Sequence, residues 1–134
     1  MNRMTEAVIT IPYLLPRDLS PNARVHWARK ASATRQLKQD AFFLAKEARL
    51  PRFTTAIIHF TFVVPDSRAR DPDNYLIMMK PAVDGLVAAG IFPNDSYKSL
   101  KYAPVVFRPT RKQKPCVIVE IHGQLEMNEQ SQET

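Results

Sequence analysis

The chain has 134 residues, 45% of them hydrophobic, and a formal charge of +6, values that fit one domain with a single core. Its three glycines and one cysteine argue against glycine-rich phosphate-binding loops, an internal disulfide and a multi-cysteine zinc site. From the few glycines we expect no nucleotide cofactor, and from the single cysteine a reducing, cytoplasmic compartment. The sequence also shows no secretory signal and no run of about 20 apolar residues, so no membrane span is expected.

The first part of the chain predicts a strand, a loop and a helix. Residues 6–11 alternate between apolar and polar types, and Pro12 ends this short strand. A loop is expected over 16–28. Residues 32–49 show apolar side chains at helical spacing, which predicts an amphipathic helix with a basic outer face. The predicted apolar stripe consists of Leu37, Ala41, Leu44 and Ala48.

Positive charge is concentrated around this helix. Between Arg17 and Arg52 there are nine Lys and Arg residues and three Asp and Glu residues, so this segment carries the whole surplus of +6. Such a concentration favours a polyanionic partner, because Lys and Arg displace counterions from phosphates. A basic helix that only faces solvent explains the charge equally well.

The second part of the chain predicts three strands and one helix. Residues 53–64 are rich in aromatic and β-branched types and predict a central strand. Residues 74–89 predict a helix that either kinks at Pro81 or starts there, because proline removes an amide donor. Two more strands are expected, joined by a basic loop: 97–107, 116–122 and the loop 108–115. This order predicts an α+β domain with a mixed sheet flanked by two main helices.

Acidic residues surround the predicted helix at 74–89. Asp71 and Asp73 stand between the central strand and this helix, and Asp95 follows the helix in the chain. Carboxylate oxygens are the ligands that hard divalent cations prefer, so these three residues, together with Asp84 on the helix, are candidates for a metal site. On a continuous helix, Asp73, Lys80 and Asp84 lie within about 40° of one another and form a polar stripe.

Lys80 has two interpretations inside this acidic group. It forms an ordinary surface pair with Asp84, at a spacing of four residues, or it balances the aspartate charges and stabilises charge on a reacting phosphate. Other chemistry is less consistent with the sequence. The three histidines are too scattered for a helical zinc pair, and the apolar alternation around Cys116 predicts a core residue.

Four motifs in this region resemble those of the RusA-type Holliday junction resolvases, a family of small bacterial and phage endonucleases. The motifs are Arg70-Asp71-Pro-Asp73-Asn74, Lys80-Pro-Ala-Val-Asp84-Gly85-Leu86, Ala89-Gly90-Ile91 and Asn94-Asp95. The upstream segment Ser20-Pro-Asn22-Ala-Arg24-Val-His26-Trp27 is similar to the family's N-terminal loop. Three features differ from the best-known resolvases: Asp73 and Lys80 are three residues farther apart, Asn94 replaces an acid, and the polar tail after Gly123 has no counterpart.

The resemblance implies a homodimer that cuts four-way DNA junctions in two symmetrical strands. It assigns Mg²⁺, or Mn²⁺ in its place, to Asp71, Asp73 and Asp95, and a functional role to Lys80. Asn74 and Asp84 are then supporting residues of the site. The endonuclease domain is expected over 1–123, followed by a flexible polar tail over 124–134.

The predicted function is therefore a Mg²⁺-dependent, structure-selective endodeoxyribonuclease that resolves four-way junctions in DNA recombination and repair. Trp27 either stacks on an exposed base or packs in the core. The alternatives are a non-catalytic DNA-binding protein with a structural acidic cluster, and a Mg²⁺-dependent flap or branched-DNA nuclease without junction preference. Five basic residues are expected to hold backbone phosphates: Arg24, Arg29, Lys30, Arg35 and Arg70.

Overall fold

A computed structural model describes residues 4–22, 24 and 26–126. The chain forms one α+β domain with a mixed five-stranded sheet, as the sequence predicts. The strands are β1 (Met4–Ile11), β2 (Phe53–Val64), β3 (Leu100–Tyr102), β4 (Val106–Pro109) and β5 (Cys116–Leu125). The helices are α1 (Trp27–Glu47), α2 (Pro72–Met78) and α3 (Lys80–Ala88), with a 3-10 turn at Arg17–Leu19. No helix in these described ranges is long and apolar enough to cross a membrane.

The sheet has β2 near its centre. Strand β5 lies between β1 and β2 and is antiparallel to both, whereas β3 and β4 pair in parallel with successive halves of β2. One face of the sheet forms the core together with α1 and α3. Alternate side chains of β2 point to one face and are all buried: Ala56, Ile58, Phe60, Phe62 and Val64.

Helix α1 begins at Trp27, five residues before its predicted start. The side chain of His26 caps it, because Nδ1 accepts a hydrogen bond from the amide of Ala28 at 3.2 Å. The buried stripe is formed by Leu37, Ala41 and Ala45. The prediction that Ala48 belongs to this stripe is wrong, since Ala48 is exposed at the end of the helix.

The predicted second helix is two helices. It breaks at Met79 because Pro81, near the start of α3, has no amide hydrogen to continue the ladder of α2. The predicted stripe of Asp73, Lys80 and Asp84 on one continuous helix is therefore wrong. Only Lys80 and Asp84 share a helix.

The C-terminal strands also differ from their predicted bounds. The expected strand over 97–107 is two short strands, and Pro104, which has no amide donor, lies between them. Strand β5 continues to Leu125, two residues beyond the predicted end of the domain at 123. Cys116 is buried, as predicted. The tail prediction for residues 127–134 lies outside the described residues.

Gly85 allows α3 to pack closely on α1. A Cβ atom at this position would lie 2.3 Å from the carbonyl oxygen of Lys38 and 3.2 Å from Cβ of Ala41. We expect Gly85→Ala to lower the free energy of unfolding by about 2 kcal/mol, because overpacking against backbone outweighs alanine's helix preference. Urea denaturation measures this, with Ala88→Ser at an exposed position of α3 as control. Unchanged stability of Gly85→Ala would contradict the close packing.

Candidate active site

The segment between β2 and α2 is held by a buried arginine. The Arg70 guanidinium donates hydrogen bonds from Nη1 to the carbonyl oxygens of Asp66, at 3.0 Å, and Arg68, at 3.2 Å. Its Nη2 donates to Oδ1 of Asp66 at 3.1 Å. The backbone amide of Arg68, and then the Arg70 side chain, hold the pKa of Asp66 below its usual value. The loop therefore folds back on itself directly before Asp71.

This geometry differs from the phosphate contact that the sequence predicts for Arg70. The Arg70 side chain is only 5% exposed, and two of its three nitrogens are used within the loop. Its Nε is buried and has no hydrogen-bond partner among the described residues. Arg70 thus shapes the loop that presents Asp71 instead of projecting into solvent.

Asp71 starts α2. Its Oδ1 accepts a hydrogen bond from the amide of Asp73 at 3.0 Å, and Pro72 occupies the first turn. Asp71 and Asp73 are both exposed, whereas Asn74 is half-buried. The cap uses one oxygen of Asp71 for a single hydrogen bond and leaves the two carboxylates two residues apart in one exposed turn.

Aromatic contacts fasten α2 to the sheet. The ring of Tyr75 meets Phe62 of β2 and Phe107 of β4 edge to face, with ring centroids 5.0 Å apart in each case. Phe62 and Phe107 stack on each other at 5.5 Å. Because offset and edge-to-face aromatic pairs have defined geometry, this cluster fixes the position of the turn that carries Asp71 and Asp73.

Lys80 connects α3 to the turn that follows it. Its Nζ donates to Oδ1 of Asp84 at 2.8 Å and to Oδ2 of Asp95 in a close contact. The hydrogen bonds to Asp84 and Asp95 raise the pKa of Lys80 above its usual range, and the Lys80 ammonium lowers the pKa of Asp95. The first interpretation of Lys80, a pair with Asp84, is present in the structure, and Asp95 is a further partner.

The turn carrying Asp95 has a cap of its own. Oδ1 of Asn94 accepts a hydrogen bond from the amide of Ser96 at 3.0 Å. Gly90, at the start of the same connection, has a φ of +83°, which favours glycine. Asn94, the residue that replaces an acid in the compared family, therefore has a local structural role.

The predicted site residues form two groups. Lys80, Asp84 and Asp95 contact one another, and Asp71 and Asp73 share the start of α2. Over residues 4–22, 24 and 26–126, no group of three His, Cys, Asp or Glu side chains is arranged to hold a metal ion. The contacts described for Asp95 join it to Lys80 and not to Asp71 or Asp73.

Tyr102 is a neighbour of the lysine group that the sequence analysis missed. Burial raises the pKa of its hydroxyl, and the charges of Lys80, Asp95 and Asp84 act on it as well. Its ring stacks on Phe60 of β2 at 6.1 Å. No motif in the sequence marks Tyr102, because only the parallel pairing of β3 with β2 brings it to this place.

The residues predicted to bind nucleic acid lie around the start of α1. Trp27 is 76% exposed, which excludes the interpretation that it packs in the core. Its ring lies beside that of His26, with centroids 5.5 Å apart. Arg29 pairs with Asp18 at 3.3 Å. The other predicted contacts on this side are exposed: Arg24, Lys30 and Arg35.

No family model matches the chain. A protein of Xylella fastidiosa (strain Temecula1) described as uncharacterized is 36% identical over 86 residues. The match covers 60% of this chain and 56% of that protein, so the chain spans about half the length of its relative. The relative's description supplies no activity, and the function therefore has to be argued from the geometry.

Proposed function

We propose that the chain is a Mg²⁺-dependent endonuclease that cuts branched DNA, with four-way junctions as its preferred substrate. The observation that carries the proposal is the contact of Lys80 with Asp95, which lies fifteen residues farther along the chain. The fold thus brings Lys80, at the start of α3, into contact with Asp95, the last acid of the motifs. Asp71 caps α2, the helix that directly precedes α3. The resemblance to RusA-type resolvases supports the same function.

The donor chemistry of the acidic segment fits Mg²⁺. Asp71 and Asp73 offer exposed carboxylate oxygens, and the cap leaves the second oxygen of Asp71 without a hydrogen bond to a described residue. Asp71 and Asp73 would hold the ion, and Asp95, whose described contact is with Lys80, is the third ligand that the family resemblance implies. When bound, Mg²⁺ supplies an activated water and offsets charge on a phosphate. Arg70 contributes by fixing the loop before Asp71, and Tyr75 by fixing the helix after it.

Lys80 is the cation of the proposed site. Its ammonium lies between two carboxylates and is half-exposed, so a phosphate oxygen can approach it from solvent. In the proposal it stabilises negative charge on the phosphate and keeps Asp95 ionised. Asp84 holds the ammonium in place from the next turn of α3.

DNA binding is assigned to the start of α1. The exposed indole of Trp27 is suited to stacking on an unpaired base at the branch point. Arg24, Lys30 and Arg35 are exposed in the same part of the chain and are suited to backbone phosphates, which carry no sequence information. Arg29 forms an ion pair with Asp18, which makes it the weakest of the four basic residues as a candidate for phosphate binding.

Paired cutting requires two sites related by a two-fold axis, so the proposal includes a homodimer. The candidate dimer surface is the sheet face opposite the core, where Val8 of β1 and Ile57 of β2 are exposed with β5 between their strands. Sedimentation of the free protein checks this part of the proposal. We expect a dimer at micromolar concentration, and a monomer would count against symmetrical nicking.

A second candidate function is a DNA-binding protein whose acidic residues are structural. Two observations favour it: the described residues contain no group of three His, Cys, Asp or Glu side chains arranged to hold a metal ion, and the helix cap engages one oxygen of Asp71. Such a protein binds junctions with a steep salt dependence and leaves them intact when Mg²⁺ is added.

Incubation with a panel of substrates tests the proposed function. Purified protein is mixed with a four-way junction, a fork, a flap, a linear duplex and a single strand, each with Mg²⁺ or with EDTA. We expect paired nicks in the junction with Mg²⁺ alone. Equal cutting of fork and flap would indicate a branched-DNA nuclease, and an intact junction under saturating binding would overturn the nuclease proposal.

A further inference from the structure

The connection between β4 and β5 carries a second group of basic residues, far along the chain from the start of α1. The chain has no Asp or Glu between 103 and 119, and four cations lie close together there: Arg108, Arg111, Lys112 and Lys114. All four are exposed. In the described part of the chain, none of them forms an ion pair. Their charges therefore remain available for an external anion.

Local hydrogen bonds hold this connection at the end of β2. The amide of Thr110 donates to the carbonyl oxygen of Val64, the last residue of β2, at 2.9 Å. Oγ1 of Thr110 accepts from the amide of Lys112 at 3.1 Å, and Gln113 Nε2 donates to Sγ of Cys116 at 3.6 Å. The basic residues thus stand on an ordered loop at the point where the chain leaves β2 for the acidic segment.

An open groove runs between this loop and the start of the acidic segment. Pro65 and Asp66 form one wall, and Thr110 to Pro115 form the other. The carboxylate of Asp66 already pairs with Arg68 and Arg70, which compensates its charge. The groove consequently presents uncompensated positive charge on one side and leads to the loop that Arg70 folds in front of Asp71.

We propose that the basic loop, residues 108–115, binds the phosphate backbone of a DNA duplex arm next to the acidic segment. Exposed Lys and Arg side chains without protein partners gain binding free energy by releasing counterions from phosphates. Residues 108–115 include no aromatic side chain to stack on bases, so their contacts position the duplex without recognising sequence. The choice of DNA as the polyanion rests on the proposed function, and cleavage is not required.

The test compares DNA binding by the wild type with binding by the triple variant R111Q/K112Q/K114Q. Fluorescence anisotropy is recorded in EDTA over a range of salt concentrations, with a four-way junction and with a linear duplex. Each lost phosphate contact lowers the salt slope by about 0.9, so the loss of three contacts lowers the slope by about 2.7 and the affinity near 0.1 M salt by about 500-fold. Both DNA forms are affected alike, because the contacts are to the backbone.

The control removes the same charge at the opposite end of β2. Lys46→Gln, Arg49→Gln and Arg52→Gln change exposed cations before Phe53, where β2 begins. A twelve-residue strand of about 40 Å separates the two ends. An equal loss of affinity in this control, or no loss in the loop variant, overturns the proposal. If the triple variant has a lowered melting temperature, the single variant Lys112→Gln repeats the test. Its salt slope is expected to fall by about one.

These outcomes are separate from those of the nuclease test. If the loop variant binds DNA weakly and the wild type never cuts a junction, the loop proposal holds and the proposed nuclease function fails. If the wild type cuts and the loop variant binds as tightly as the wild type, the nuclease function holds and the loop proposal fails.

Discussion

Asp71→Asn is expected to abolish Mg²⁺-dependent junction cleavage while leaving junction binding intact or tighter. The substitution removes a proposed metal ligand, and we expect the single-turnover rate to fall by at least about 100-fold. It also removes negative charge near DNA phosphates, which favours binding. Denaturing gels measure the cleavage rate at saturating protein, and anisotropy in EDTA measures the affinity.

The cap at Asp71 makes this substitution informative. Asparagine caps helices about as well as aspartate, so Asp71→Asn preserves the hydrogen bond from the amide of Asp73. Asp71→Ala loses the cap and is expected to cost about 1 kcal/mol of stability as well. Glu120→Gln, on β5, is the charge-matched control. Full cleavage by Asp71→Asn would show that this carboxylate only caps the helix.

Lys80→Gln is expected to slow cleavage by about 100-fold, because it removes the cation that stabilises charge on the reacting phosphate. The thermal melting temperature should change little, since exposed ion pairs such as Lys80 with Asp84 add little stability. Lys98 is also exposed and lies three residues after Asp95, so Lys98→Gln is the matched control for the loss of one positive charge. A cleavage rate equal to that of the wild type would reduce Lys80 to an ordinary surface pair.

The sequence predicts most of the sheet and one contact of the site. The bounds of β2 agree with the prediction because its alternating apolar residues are followed at once by Pro65. The contact of Lys80 with Asp84 follows from a spacing of four residues on one helix. Both are local features, and local spacing determines them.

Features that depend on tertiary packing were not predictable in this way. The contact between Lys80 and Asp95 requires the turn at Gly90 to return the chain to the start of α3. Arg70 looks like a surface charge in the sequence, and its burial follows from the folding of the loop onto Asp66. The helix break at Met79 has a local cause, Pro81, but the sequence leaves its form open. A proline is compatible either with the first turn of a new helix or with a kink in a continuous one.

Uptake of a divalent ion by the acidic segment tests the central claim most directly. Mn²⁺ is titrated into the free wild-type protein and into the double variant Asp71→Asn/Asp73→Asn, and electron paramagnetic resonance measures the unbound ion. The account predicts that the wild type binds Mn²⁺, that Mg²⁺ displaces it, and that the double variant binds far less. Equal binding by both proteins, or none by the wild type, would contradict it.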